Sequence, residues 1–440
     1  MTPGAPAELG SPITLPEAKR MREQVCVMGL GYIGLPTASL LATKGYRVLG
    51  VDVNAHAVDS INHGNVHIVE PGLDILVKSA VGSGNLSASM EPAPADVFIL
   101  AVPTPVRHED HEPELSYIDE ATEAIAPHVA PGNLVILEST SPVRTTEQVA
   151  RLLSERRPDL KIPQRTRGTG HTDAEPDQVF IAHCPERVLP GQILRELVDN
   201  DRVVGGVDDA SAQRAAEFYR TFVGGQVLVT DSRTAEMCKL VENAFRDVNI
   251  AYANELSIIC EQLDINVWEL IEFANRHPRV NVLRPGPGVG GHCIAVDPWF
   301  IVSSAPEHAR LIRTAREVND SKPCFVVESV RQSAERYKEP VIACLGLSFK
   351  ADIDDLRESP AVEIVRHVAT EGLGTTLVVE PHIRSLPPAL ADIDVELVDL
   401  PTALKRADVV VLLVDHREFL SVERETLLRK VVIDTRGIWR

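Results

Sequence analysis

Between Gln24 and Asn54 the chain reads QVCVMGLGYIGLPTASLLATKGYRVLGVDVN. An apolar run is followed by a glycine turn, a helical pattern to about Lys44 and a second apolar run ending at Asp52. This is a βαβ unit, and it commits the chain to a parallel sheet with helices packed on its faces. Gly29, Gly31 and Gly34 form GxGxxG directly after the first strand. The first glycine allows the tight turn, the second admits a pyrophosphate against the backbone, and the third lets helix and strand approach. The new helix turns its N–H groups and positive end toward that phosphate. Asp52 stands where a carboxylate can bind the adenosine ribose, which favours NAD and disfavours the extra phosphate of NADP. The same glycines alone would fit a turn in any α/β protein. It is the strand, helix and acid in register that point to a dinucleotide.

The α/β pattern continues. ADVFILAVPTP and NLVILEST are strands whose ends place Thr104 and Thr140 at the carboxyl edge of the sheet. That edge is where such folds bind ligands, although Ser and Thr are also ordinary turn residues. QVFIAHCPERVLPG brings Glu186 to the same rim, and PQRTRGTGHTDAEPD at 163–177 reads as an exposed insertion. A helix from about Asp209 to Thr221 and the strand QVLVT close this half. From Ser232 to His277 no glycine or proline intervenes, so one long helix and a shorter one are expected, the kind that bridges domains and supports dimerisation. On the long helix Met237, Val241, Ala244 and Val248 make an apolar stripe, with Lys239 and Asn243 together on nearly the opposite face. Helical sequence from about Glu307 to Tyr337 precedes a second set of strands, VIACL, TTLVVEP, DVVVLLVD and VVIDTRG. Lys350 and Arg357 occupy its first loop, where a glycine fingerprint would otherwise sit.

The expected organisation is a flexible Pro/Gly-rich tail at 1–20, an NAD-binding domain at 21–230, a central helical domain at 231–335 and a smaller Rossmann-like domain at 336–440. A chain of 440 residues needs several cores. The formal charge of −19 opposes non-specific binding to nucleic acid or to an anionic membrane. Seven scattered cysteines without metal-ligand spacing fit a reducing cytoplasm and no metal site. No apolar run is long enough for a membrane helix.

One segment resists both helix and strand: PGPGVGGHCIAVD, Pro285–Asp297. Its glycines allow a loop to wrap closely while presenting Cys293, although a small buried cysteine would also fit.

Taken in order, GLGYIG, AVPTP, ESTSP, CPERVLPG, AEMCKLVENAF, GPGVGGHCIAVD and GLSFKADIDDLRESP resemble the UDP-glucose/GDP-mannose dehydrogenase family from Val25 to the C-terminus. PERVLPG, NRHPRVN and GGHCIAVDPWF resemble the branch that acts on UDP-N-acetyl-D-mannosamine. The resemblance implies oxidation of a sugar CH2OH to a carboxylate with two NAD, feeding surface polysaccharide synthesis. It makes Cys293 the nucleophile that carries a thiohemiacetal and then a thioester. Lys239 and Asn243 would donate to the oxyanion and favour the thiolate, Asp297 would act in proton transfer, and Glu186 would be the base for thioester hydrolysis with Thr140 holding the water. It further implies cofactor contacts at Gly29, Gly31, Tyr32, Ile33, Gly34, Asp52, Thr104, Thr140 and Arg357. Substrate contacts would come from Glu186, Arg187, Val188, Lys239, Asn243, Gly288, Gly290, Gly291, His292, Phe349 and Lys350, in a homodimer whose Arg279 reaches the partner's site.

His292 stands where the UDP-glucose enzymes have a serine, and Pro190 where they have a glutamate, which argues for another UDP-sugar. UDP-N-acetylglucosamine and UDP-N-acetylgalactosamine are the alternative substrates. A single-step hydroxyacid dehydrogenase, which needs no thiol, and an NAD-binding redox sensor without turnover are the competing functions.

Overall fold

The computed structural model describes residues 23–107, 109–165, 175, 177–189, 191–291 and 293–439. The tail, most of the 163–177 insertion, Pro190 and His292 lie outside the described residues. The chain divides into two compact units, Met1–Lys239 and Leu240–Arg440.

In the first unit eight strands form one sheet: β1 (Gln24–Met28), β2 (Arg47–Val51), β3 (Leu86–Ser89), β4 (Val97–Leu100), β5 (Leu134–Leu137), β6 (Phe180–His183), β7 (Arg202–Gly206) and β8 (Val227–Asp231). Their order is β3-β2-β1-β4-β5-β6-β7-β8, and every pairing is parallel except β6 with β7. The strand period of two divides the core. Val25 and Val27 of β1 face one apolar cluster, while Cys26 and Met28 face the other. Both faces are covered by helices, which is why these strands read as unbroken apolar runs. Among the helices are α1 (Gly34–Thr43), α2 (Thr145–Arg156) and α3 (Asp209–Tyr219).

Strands β3 and β7 escape a reading by apolar alternation, because LSAS is small and polar and RVVGG ends in two glycines. The glycines have a packing cause. A Cβ on Gly205 would sit 2.4 Å from the Asp231 carbonyl oxygen, and one on Gly206 2.2 Å from that of Asp208.

The helix α4 (Ser232–Gln262) runs across the boundary between the units and is followed by α5 (Val267–Ala274), α6 (Asp297–Ser304), α7 (Arg310–Ala334) and α8 (Pro360–Thr370). The second unit carries a parallel five-stranded sheet of β9 (Val341–Leu345), β10 (Thr375–Val379), β11 (Val395–Leu397), β12 (Val409–Leu412) and β13 (Val431–Asp434), ordered β11-β10-β9-β12-β13. Both units are therefore Rossmann-type α/β structures, as the sequence implies. The burial of α4 does not follow the expected stripe. Val241 is 50% exposed and Phe245 68%, whereas Glu236, Leu240, Asn243 and Asp247 are buried. The inward face of this helix is set by its polar residues, which have partners inside. Leu240 and Ala244 are buried beside them, while Val241 and Phe245 are left outside.

Candidate active site

The glycine fingerprint of the first unit is built for a phosphate. Gly29 has φ 89°, a conformation that a side chain disfavours, and its N–H donates to the Val51 carbonyl. A Cβ on Gly34 would fall 1.8 Å from the Gly29 carbonyl oxygen, so only glycine lets α1 start so close to the turn. Nothing lies within 4 Å of the corresponding position on Gly31, where a ligand's phosphate has room. Tyr32 and Ile33 lead half-buried into α1. At the end of β2, Asp52 Oδ2 accepts from the Leu30 N–H at 2.9 Å and Oδ1 from the Asn54 N–H at 2.9 Å. The carboxylate is thus fixed over the turn, and each oxygen keeps a lone pair for a ribose hydroxyl. These residues fit an NAD pyrophosphate and adenosine ribose.

Further along the same edge, Thr104 Oγ1 donates to the Thr140 carbonyl and Ser139 Oγ to that of Val102 at 2.6 Å, tying the ends of β4 and β5 together. Past β6, Glu186 is buried with both oxygens engaged. Oε1 accepts from the Arg187 N–H at 2.7 Å, and Oε2 is paired with the guanidinium of Arg202, itself 2% exposed. Val188 packs against the apolar cluster of this face. Glu138, at the end of β5, accepts from the Tyr219 hydroxyl at 2.7 Å. Burial first, then the charge of Glu186, push its carboxyl up to about 7. Arg202 and Tyr219 lie in no motif, and Glu138, though it opens ESTSP, gives no sign of its buried partners, because the group is assembled from positions far apart along the chain.

In the second unit Cys293 is exposed. Its carbonyl accepts the N–H groups of Val296 and Asp297, at 3.1 and 2.8 Å, which closes the turn that presents the thiol and starts α6. Asp297, at the first position of α6 and 3% exposed, accepts from Asn243 Nδ2 at 2.5 Å. Lys239 is half-buried on α4, one turn before Asn243. The structure thus joins Asn243, Asp297 and the Cys293 turn, residues 54 apart in the chain for the first pair.

The glycines of this loop also serve the protein itself. A Cβ on Gly290 would lie 2.5 Å from the Glu358 carbonyl oxygen and 2.8 Å from Phe349 Cβ, and one on Gly291, with φ 79°, 3.1 Å from the Phe349 ring. One on Gly288 would meet Pro360 at 2.8 Å. The loop bearing Phe349, Lys350 and Arg357 is therefore packed against the cysteine loop. Lys350 and Arg279 are exposed, and Arg357 forks onto Asp355 at 2.9 and 2.6 Å.

Among the described residues, donor atoms of Asp352, His382 and His416 lie within 4.8 Å of one another, a grouping that cysteine spacing does not disclose. His416 Nδ1 accepts the Asp352 N–H at 2.9 Å, so Nε2 carries the proton and donates to Glu380 at 3.1 Å. Glu380 also accepts the N–H groups of Leu347 and Ser348. Those atoms form a hydrogen-bonded brace for the loop carrying Lys350.

Models of three domains match in sequence. They are the NAD binding domain of the UDP-glucose/GDP-mannose dehydrogenase family at residues 23–223, its central domain at 233–321 and its UDP binding domain at 343–440. The chain belongs to this family. A family member from Ralstonia nicotianae, named NDP-N-acetyl-D-galactosaminuronic acid dehydrogenase, is 61% identical, over 94% of this chain and 96% of its own. The UDP-N-acetyl-D-mannosamine dehydrogenase of Campylobacter jejuni is 57% identical, over 92% of this chain and 98% of its own. The solved structure of the UDP-N-acetyl-mannosamine dehydrogenase Cap5O from Staphylococcus aureus superposes with a TM-score of 0.82 at 42% identity, covering 94% of this chain and 95% of that one. This chain is an NAD-dependent nucleotide-sugar dehydrogenase, an oxidoreductase that binds its UDP-sugar through the C-terminal domain. Among the described residues no helix is long and apolar enough to cross a membrane.

Within this family assignment, Asp52→Ala is expected to raise the dissociation constant for NAD at least about tenfold. A hydrogen bond to a charged group contributes about 1.5–3 kcal/mol. Titration of protein fluorescence with NAD reads the effect directly.

Proposed function

We propose that this dehydrogenase oxidises C6 of UDP-N-acetyl-D-mannosamine to the carboxylate in two steps, supplying a precursor of surface polysaccharide. The observation that carries the reading is Cys293, presented on the turn whose next residues begin α6 with Asp297, which is fixed by Asn243. NAD, when bound, accepts the hydride released in each oxidation. In the first, the C6 alcohol loses its proton toward Asp297 through a held water. Cys293 Sγ then adds to the aldehyde carbon, and Lys239 Nζ and Asn243 Nδ2 donate to the oxygen that gathers charge. After the second oxidation Glu186 draws a proton from a water held by Thr140, which attacks the thioester carbon and frees the Cys293 thiolate. The cleft cations Lys350 and Arg357 and the arginine Arg279 are assigned to anionic groups of substrate or cofactor.

A second substrate, a UDP-N-acetylgalactosamine, is supported by the name of the Ralstonia relative. A panel of UDP-hexoses and UDP-N-acetylhexosamines, with products identified by mass spectrometry, decides between them. The reading requires UDP-N-acetyl-D-mannosamine to give the highest kcat/KM, with two NADH per sugar. One NADH with an aldehyde product would favour the single-step alternative.

The homodimer belongs to the same proposal. Val241, Phe245 and Tyr252 of α4, Leu263 just past its end and Phe273 of α5 are at least half-exposed, an apolar surface of the kind that marks an interface. Phe245→Glu is expected to convert the dimer to a monomer in sedimentation velocity. Activity should fall with it if Arg279 completes the partner's site.

A further inference from the structure

The buried polar group under the rim of the first sheet contains more ionisable chemistry than the catalytic reading uses. Arg202 of β7, 2% exposed, is paired with Glu186 and donates to the Leu197 carbonyl at 3.0 Å. Its guanidinium carbon lies 5.8 Å from the centre of the Tyr219 ring. Tyr219, at the end of α3, donates its hydroxyl to Glu138 Oε1. Glu138 Oε2 and Arg202 Nε are buried without a partner. One buried cation thus stands among two buried carboxyl groups, and only one of these, Glu186, has it as a direct partner.

We propose that Glu138 is a positioning residue for Glu186: by gaining or losing a proton across Tyr219 and Arg202, it sets how strongly the Glu186 carboxylate attracts a proton. This rests on the reading of Glu186 as the base of thioester hydrolysis. While Glu138 is a neutral acid, the Arg202 charge is balanced by Glu186 alone, and a fully compensated carboxylate is a weak base. Once Glu138 ionises, the enclosed group carries two negative charges against one positive. The unfavourable excess raises the proton affinity of Glu186, so that water activation speeds up.

The groups that bear on Glu138 are Tyr219 from α3, Arg202 from β7, and Glu186 and Cys184 from the segment after β6. Tyr219 is pushed well above its ordinary value and Cys184 up to about 12, both chiefly by burial. His183 beside Cys184 is pushed down to about 3 by burial and stays neutral. Within this group Glu138, raised to about 7, is the member that titrates near neutral pH.

The test uses full-length protein with NAD and UDP-N-acetyl-D-mannosamine. The rate of thioester hydrolysis is followed against pH by quench and mass spectrometry of the acylated enzyme. Wild type should show a rise through neutral pH. Glu138→Gln, isosteric and fixed neutral, should lose that rise and remain about tenfold slower on the alkaline side, the scale of a modest change in base strength. Tyr219→Phe removes the donor that favours the Glu138 anion, so the rise should move to higher pH. Should the glutamine variant fold poorly, this second variant still decides the matter. A packing role alone would scale the rate without moving its pH dependence. Glu186→Gln separates the two readings. If it accumulates no thioester, Glu186 is not the base and the proposal falls with that assignment. If it accumulates thioester while Glu138→Gln and Tyr219→Phe keep the wild-type profile, Glu186 stands and the role of Glu138 is overturned.

Discussion

Cys293→Ala is expected to abolish net oxidation to the carboxylate, lowering kcat by about four orders of magnitude or more, the scale seen when a covalent nucleophile is removed. The reason is chemical. An aldehyde has no hydride to give at the acid level until a nucleophile adds to it, and among neutral-pH side chains a thiolate adds most readily. With alanine in place the first oxidation retains Lys239, Asn243 and Asp297, so at most one NADH per sugar should form in a single turnover, with the aldehyde or its hydrate as product. Cys293→Ser should behave similarly, because a hydroxyl is far more reluctant to ionise. Mass spectrometry of quenched wild-type enzyme should show the acyl adduct on the peptide containing Cys293 and none in either variant. Two NADH per sugar from the alanine variant would refute the covalent route.

Much of this site is readable in the sequence because its parts are local. GxGxxG with Asp52 lies within one βαβ unit, and Cys293 lies in the turn that leads into α6 at Asp297. Even so, the glycines of the cysteine loop have a second use that the sequence conceals. Gly288, Gly290 and Gly291 admit Phe349, Glu358 and Pro360 from a later segment of the chain, so their small size serves loop packing inside the unit as well as any ligand. Strand β7 is hidden because its glycines answer to the atoms of Asp231, Asp208 and Ala212, which only the fold brings near. The stripe on α4 misleads for a related reason. Apolar periodicity shows that one helix face avoids water, but not whether the protein's own core or a second subunit covers it. Glu138 opens ESTSP, but its bond to Tyr219, 81 residues away, and the Arg202 pairing with Glu186 leave no pattern in the sequence.

The same principle governs the largest expected loss of stability. Asp247→Ala should destabilise the fold by about 3–5 kcal/mol, since it leaves the guanidinium of Arg316 buried without its main counter-charge. Asp247 is fully buried and Arg316 1% exposed, with Oδ1 and Nη1 2.5 Å apart. Asp320, about half-exposed, still pairs with the other end of Arg316 but cannot reach the vacated space. Asn319 Nδ2 also donates to Asp247 Oδ1 at 2.8 Å, Asn254 Nδ2 donates to Asn319 Oδ1 at 2.9 Å, and Asn254 Oδ1 accepts the Gly286 N–H at 2.8 Å. The pair on α4 and α7 is therefore linked to the first residues of the cysteine loop. Replacing both charges together, Asp247→Leu with Arg316→Met, should restore much of the stability in denaturant unfolding, because neither ion then has to be buried. It should not restore full activity, since Asn319 Nδ2 is left with only the main-chain carbonyl of residue 247, 3.1 Å away, to orient the amide that holds Asn254 toward Gly286. A recovered unfolding midpoint with a depressed kcat and an unchanged NAD affinity would show that this network positions the Cys293 loop. Recovery of both would reduce it to packing.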